Sequence, residues 1–121
     1  METKYFPCSQ EGILGAQEFL ETVMSSPKPA IILDEIVSNI VRCSGANGFS
    51  LAIDRTADGL KMVFSDDGKP FDPLTEVAAP DISAGVEDRG IGGLGIFMVK
   101  KMSKSVAYRR DGEKNVLTVV M

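Results

Sequence analysis

Glycine is concentrated where a chain would need to meet an anion. Residues 90–95 read Gly90-Ile91-Gly92-Gly93-Leu94-Gly95 and run straight into Ile96-Phe97-Met98-Val99-Lys100-Lys101-Met102. Ile96, Val99 and Met102 recur at a spacing of three with lysines between them, the period of an amphipathic helix. A glycine turn that opens a helix leaves free backbone N–H groups pointing outward, and the helix dipole adds about half a positive charge at that end. The chemistry this permits is phosphate binding. Gly90-x-Gly92-x-x-Gly95 also matches a dinucleotide fingerprint, which needs a preceding strand and an acid about 20 residues later inside a βαβ unit. Pro80 to Asp88 is polar and loop-like instead, and Asp111 falls in Asp111-Gly112, a hairpin turn. A plain tight turn packing a helix on a sheet is the third reading.

Two further groups carry chemistry. Asp66-x-Gly68 stands where an apolar strand stops, so the sheet edge can hold a carboxylate and aim it into a pocket. A carboxylate only accepts hydrogen bonds, which suits an exocyclic amine such as that of adenine, and Gly68 would let a flat ring lie close to the backbone. A two-aspartate turn ending a hairpin strand is the simpler account. In the second group, Glu35, Asn39 and Arg42 lie at i, i+4 and i+7 on one face of a mostly apolar helix, with Asp34 off that line. A Glu and an Asn side by side there are unfavourable without partners, although a solvated polar stripe would also explain them.

Composition limits what these groups can do. The 121 residues are 44% hydrophobic and 25% charged, ordinary for a single soluble domain spanning 1–121. The net charge of −4 argues against direct nucleic-acid binding, since nothing neutralises a run of phosphates. Apolar runs such as Ala30–Leu33 are too short to span a membrane, and Met1-Glu2-Thr3-Lys4 is no signal peptide. Cys8 and Cys43 lack CxxC spacing, which points to free thiols in a reducing cytoplasm. There is no histidine, which removes His-based triads, most zinc sites and a phosphohistidine relay within these residues. Chemistry must rest on carboxylates, amides, backbone and a hard metal such as Mg²⁺.

The elements that must position these groups follow from periodicity. Thr3–Cys8 reads as an edge strand. Gln10–Met24 reads as a helix capped by Ser9, with Ile13, Leu14, Phe19, Leu20 and Val23 on its apolar face and Ser25–Pro29 ending it. Ala30–Cys43 is a second helix. Phe49–Arg55 and Leu60–Ser65 are a hairpin pair, with Phe49, Leu51 and Ile53 on one face of the first strand and Leu60, Met62 and Phe64 in step on the second. Leu74–Asp88 has little periodicity, and so long a connection suits a lid. Ser103–Arg110 and Lys114–Met121 close the chain as strands around Asp111-Gly112. The order β-α-α-β-β-lid-α-β-β packs most simply as an α/β two-layer sandwich, three helices on one face of a mixed, mostly antiparallel sheet.

In combination and order these motifs resemble the GHKL ATP-binding superfamily, which includes histidine-kinase catalytic domains and gyrase B. Within it the chain is most similar to the small anti-sigma-factor serine/threonine kinases. That branch shows Glu-x-x-x-Asn-Ala-x-x-His, then Asp-x-Gly-x-Pro-Phe-Asp-Pro, then Gly-Gly-Leu-Gly-Ile, then a Tyr-containing strand and an Asn-containing hairpin. The matching residues are Glu35–Asn39, Asp66–Pro73, Gly92–Ile96, Tyr108 and Asn115, so the resemblance covers nearly the whole chain.

The resemblance implies a Bergerat ATP-binding fold of about five strands, with ATP and Mg²⁺ as cofactors. It implies Asn39 as the Mg²⁺ ligand, Asp66 on the adenine amine, Gly68 making room for the ring, and Phe71 in the nucleotide site. Gly92, Gly93, Leu94 and Gly95 would meet the phosphates, with Arg89 as a lid charge. Glu35 would be the general base, so that positioning and charge neutralisation suffice for phosphoryl transfer. The implied partners are a STAS-domain anti-anti-sigma protein, phosphorylated on serine, and a sigma factor, sequestered by binding, with a homodimer as the usual assembly. Cys43 stands where the family often has histidine, and Ser103 where an aspartate commonly follows the glycine-rich helix. These departures motivate an alternative, a nucleotide-gated protein-binding regulator that does not transfer phosphate.

Overall fold

The computed structural model describes residues 2–57, 59–76 and 93–121. They form β1 (Glu2–Pro7), α1 (Gln10–Val23), α2 (Pro27–Cys43), β2 (Gly48–Thr56), β3 (Gly59–Asp66), α3 (Pro73–Glu76), α4 (Gly93–Met102), β4 (Ser105–Asp111) and β5 (Lys114–Val120). The strands make one sheet in the order β1-β2-β3-β5-β4. All four pairings are antiparallel, so the parallel component of a mixed sheet does not occur among the described residues.

Period-two alternation decides which face is covered. Phe49, Leu51 and Ile53 of β2, Leu60, Met62 and Phe64 of β3, and Leu117 and Val119 of β5 point to the same side and are buried. The helices lie on that side. Ala16, Phe19 and Leu20 of α1, Ile32, Leu33, Ile36 and Val37 of α2, and Val99 of α4 join the strand residues in one hydrophobic cluster. Ile96, the first apolar residue of the spacing-three pattern, is buried as well. Leu14 is not part of the cluster: it is 50% exposed, and the buried stripe of α1 runs through Ala16.

The helix boundaries have local causes. Ser9 caps α1, its hydroxyl oxygen accepting the Gly12 N–H at 3.3 Å. The Ser25–Pro29 stretch does more than end α1, because α2 begins at Pro27, three residues earlier than the sequence reading placed it. Proline needs no helical N–H partner in a first turn, so Pro27 and Pro29 open a helix here. On the other side of the hairpin, Asp66 is the last residue of β3 and pairs with Asn115 of β5 across 49 residues of sequence. That pairing brings the end of the β2–β3 hairpin beside the start of β5, at the sheet end where α2 terminates. Of the segment expected to be a lid, 74–76 belong to the short helix α3 and 77–88 lie outside the described residues.

Candidate functional site

Asp66 and Asn39 face one cup. It lies between the C-terminal half of α2 and the ends of β3 and β5, with Ile36, Ile40, Phe64, Phe71 and Leu117 among its walls. Both polar residues are buried, Asn39 to 2% exposure and Asp66 to 6%, so their partners determine what the cup can bind. Asp66 Oδ1 accepts the Gly68 backbone N–H and one Asn115 Nδ2 hydrogen, each at 2.9 Å. Among the described residues nothing donates to the other oxygen, Oδ2. A buried carboxylate oxygen without a donor is costly unless a ligand or water completes it, so the cup carries a standing preference for a hydrogen-bond donor. The cavity is narrow, about 20 Å³, room for one water molecule.

Asn39 is satisfied from its own helix. Its Nδ2 donates to Glu35 Oε1 at 3.4 Å, and its Oδ1 accepts from the Arg42 guanidinium. The i, i+4, i+7 face read from the sequence is thus a bonded chain in which a cation already sits at the amide oxygen. That oxygen is a hard donor suited to Mg²⁺, which takes few protein ligands and keeps waters and substrate phosphates around it. No group of three His, Cys, Asp or Glu that could cage a metal exists among the described residues.

Glu35 opens on a different space. It lines a groove of about 280 Å³ between α2 and α4, with Ile31, Met98, Val99 and Met102, and reaches the cup only through its hydrogen bond to Asn39. Burial pushes its carboxyl above the ordinary 4.5; Arg42 pulls it down, Asp34 pushes it up, and the Asn39 hydrogen bond lowers it again. A carboxylate displaced upward is a better proton acceptor near neutral pH than an unperturbed one.

Gly68 lies against the end of α2. A Cβ there would lie 2.2 Å from the Ser44 carbonyl oxygen, so the missing side chain makes room for the end of α2. Lys69 N–H donates to that same carbonyl, which ties the loop after β3 to the helix terminus. Phe71 lines the cup, with its N–H held by Asn115 Oδ1 at 3.1 Å. Gly93 opens α4 and Leu94 and Gly95 follow in its first turn, so the glycine run does lead into a helix. Arg89 and Gly92 lie outside the described residues.

Asn115 and Tyr108 belong to the motif pattern, but the sequence alone assigns them no task. Here Tyr108 and Arg110 both donate to Asn115 Oδ1, and Arg110 also donates to the Gly68 carbonyl at 2.8 Å. Only strand pairing reveals this group, because its members are scattered over residues 66–115.

Comparisons with known proteins agree with this architecture. The family model of the histidine kinase-like ATPase domain matches residues 17–121. Among solved structures, the Acinetobacter baumannii histidine kinase AdeS aligns with 98% of this chain at a TM-score of 0.57 and 17% identity. The chain spans 66% of the length of that structure, and at this identity the likeness concerns the fold alone. A comparison with curated proteins finds no match. Among the described residues no helix is long and apolar enough to cross a membrane.

Proposed function

The chain belongs to the family of histidine kinase-like ATPase domains, and from that premise we propose that it is an ATP- and Mg²⁺-dependent protein kinase that binds adenine at Asp66. The observation that carries this reading is the undonated Oδ2 of a buried carboxylate at the end of an apolar cup. A purine with an exocyclic amine answers both features, its faces against Ile36, Phe64 and Leu117 and its amine on Oδ2. The base needs more space than the present cavity, and that space comes from outward movement of the loop carrying Phe71 and Pro73.

The triphosphate then meets the N–H groups of Gly93, Leu94 and Gly95 at the start of α4, with Arg42 adding charge; the same role for Gly92 and Arg89 falls outside the described residues. Asn39 would hold Mg²⁺ through Oδ1 once Arg42 turned away, and the ion would supply charge neutralisation to the bound phosphates. Glu35 takes the proton of an acceptor hydroxyl as its oxygen bonds to the γ-phosphorus. The bond to the β–γ bridging oxygen breaks, and ADP leaves.

The acceptor in this proposal is a serine or threonine of a partner. These 121 residues contain no histidine that could serve in cis. The runs Asp66–Pro73 and Gly92–Ile96 match the anti-sigma branch, which supports a STAS-domain anti-anti-sigma protein as substrate, a sigma factor as the sequestered partner, and a homodimer as the assembly. Cys43 and Ser103 favour a second reading, ATP-gated binding without transfer. The two separate in one experiment, radiolabelled ATP incubated with a cognate STAS-domain protein. Label on that protein, lost in Glu35→Ala, is the expected result. No label with wild type removes the kinase and leaves the gated regulator; label undiminished in Glu35→Ala removes Glu35 as the general base.

A further inference from the structure

Asn115 uses every hydrogen-bonding position of its amide. Its Nδ2 donates to Asp66 Oδ1 at 2.9 Å and to the Lys69 carbonyl at 2.8 Å. Its Oδ1 accepts from the Phe71 N–H, the Tyr108 hydroxyl and Arg110 Nη1. The environment permits one orientation only. A flipped amide would set its NH₂ against three donors and its oxygen against a carboxylate. Asn115 is 5% exposed and faces Asp66 directly in the β3–β5 register, so backbone pairing holds the two side chains together.

The terminal torsion of an aspartate is broad and two-fold, so the carboxylate plane of Asp66 needs an external constraint if one oxygen is always to face the cup. Gly68 N–H and Asn115 Nδ2 converge on the same oxygen and supply that constraint. Building on the nucleotide reading of the cup, we propose that Asn115 is the positioning residue for base selection. By holding Oδ1 it leaves Oδ2 as the one undonated oxygen of the Asp66 carboxylate and restricts the site to bases that present a donor there. A base without the amine leaves a fixed, charged acceptor unpaired and is rejected. Once the carboxylate is free to turn, it can find water or loop N–H groups and tolerates such a base.

The test is competition binding of ATP against purine riboside triphosphate, the ATP analogue without the exocyclic amine. It is run on the wild type, Asn115→Asp and Asn115→Ala. Asn115→Asp keeps an acceptor for Phe71, Tyr108 and Arg110 and removes the donors to Asp66 and to the Lys69 carbonyl. Asn115→Ala avoids a second buried carboxylate and serves if the first variant does not fold. The wild type should prefer ATP by at least about tenfold, and either variant should reduce this to about threefold or less. The preference for ATP over AMP, which reports the phosphate end, should stay within about twofold. Undiminished base preference in a folded variant overturns the assignment and leaves the nucleotide site standing. A wild type that binds ATP no better than the analogue also overturns it, and a wild type that binds neither removes the site itself.

Discussion

Glu35 shows how one side chain can carry opposite requirements. Burial raises its pKa above 4.5, so the folded chain holds that proton more tightly than the unfolded chain does. A carboxyl raised in this way takes stability from the fold as pH climbs through the interval between the two pKa values. The full penalty is present above the folded one. Glu35→Gln removes it while keeping an oxygen for Asn39 Nδ2. The variant should therefore melt at or above the wild-type temperature at pH 7.5, and the difference should vanish below the ordinary 4.5, as a pair of thermal scans would show. Phosphoryl transfer should fall by about 100-fold or more, the usual loss of a general base. A variant that is both less stable at pH 7.5 and fully active would contradict the role. The type and spacing of this residue were legible in the sequence, as was the Asp66 carboxylate. The task of Asn115 was not, because a lone Asn in a strand says nothing until its cross-strand partner is known.

At the scale of elements, the site depends on the loop after β3 lying against the end of α2. The contact is close enough that Gly68 has no space for a side chain, with the Ser44 carbonyl 2.2 Å from where a Cβ would be. Gly68→Ala must push apart two backbone segments, and overpacking of that kind costs about 1–3 kcal/mol. Urea unfolding should show that loss, together with weaker ATP binding, because the Gly68 N–H also fixes Asp66 Oδ1. An unchanged midpoint would mean that the loop does not rest on α2. Period-two patterning made β2 and β3 readable down to the facing of Phe49, Leu51, Leu60 and Met62. The start of α2 was obscured because Pro27 and Pro29 read as breakers, although a first turn accommodates them. Leu14 lies on the opposite side of α1 from the buried stripe of Gly12, Ala16, Phe19 and Leu20, about half a turn away at 3.6 residues per turn. The order β3-β5-β4 lies beyond local pattern, since it depends on closing the chain between Asp66 and Asn115.

For the whole molecule, the cup joins parts of the chain that are distant in sequence. Asn39 comes from α2, Asp66 and Phe71 from the end of the hairpin, and Asn115 from the last strand. A ligand gripped by all of them favours the folded state through mass action, about 2.7 kcal/mol at one hundred times Kd. For a chain of this size that amounts to a rise of about ten degrees in Tm. The most direct measurement is calorimetric titration of the folded protein with Mg-ATP, beside Asp66→Asn. The variant keeps the shape of the side chain and an oxygen for Gly68 and Asn115, but turns an NH₂ toward the adenine amine. The expected result is saturable ATP binding by the wild type, weakened by about 1–3 kcal/mol in Asp66→Asn. A folded wild type with no binding at millimolar ATP, or equal affinity in both proteins, would contradict the assignment of Asp66 as the base-binding residue.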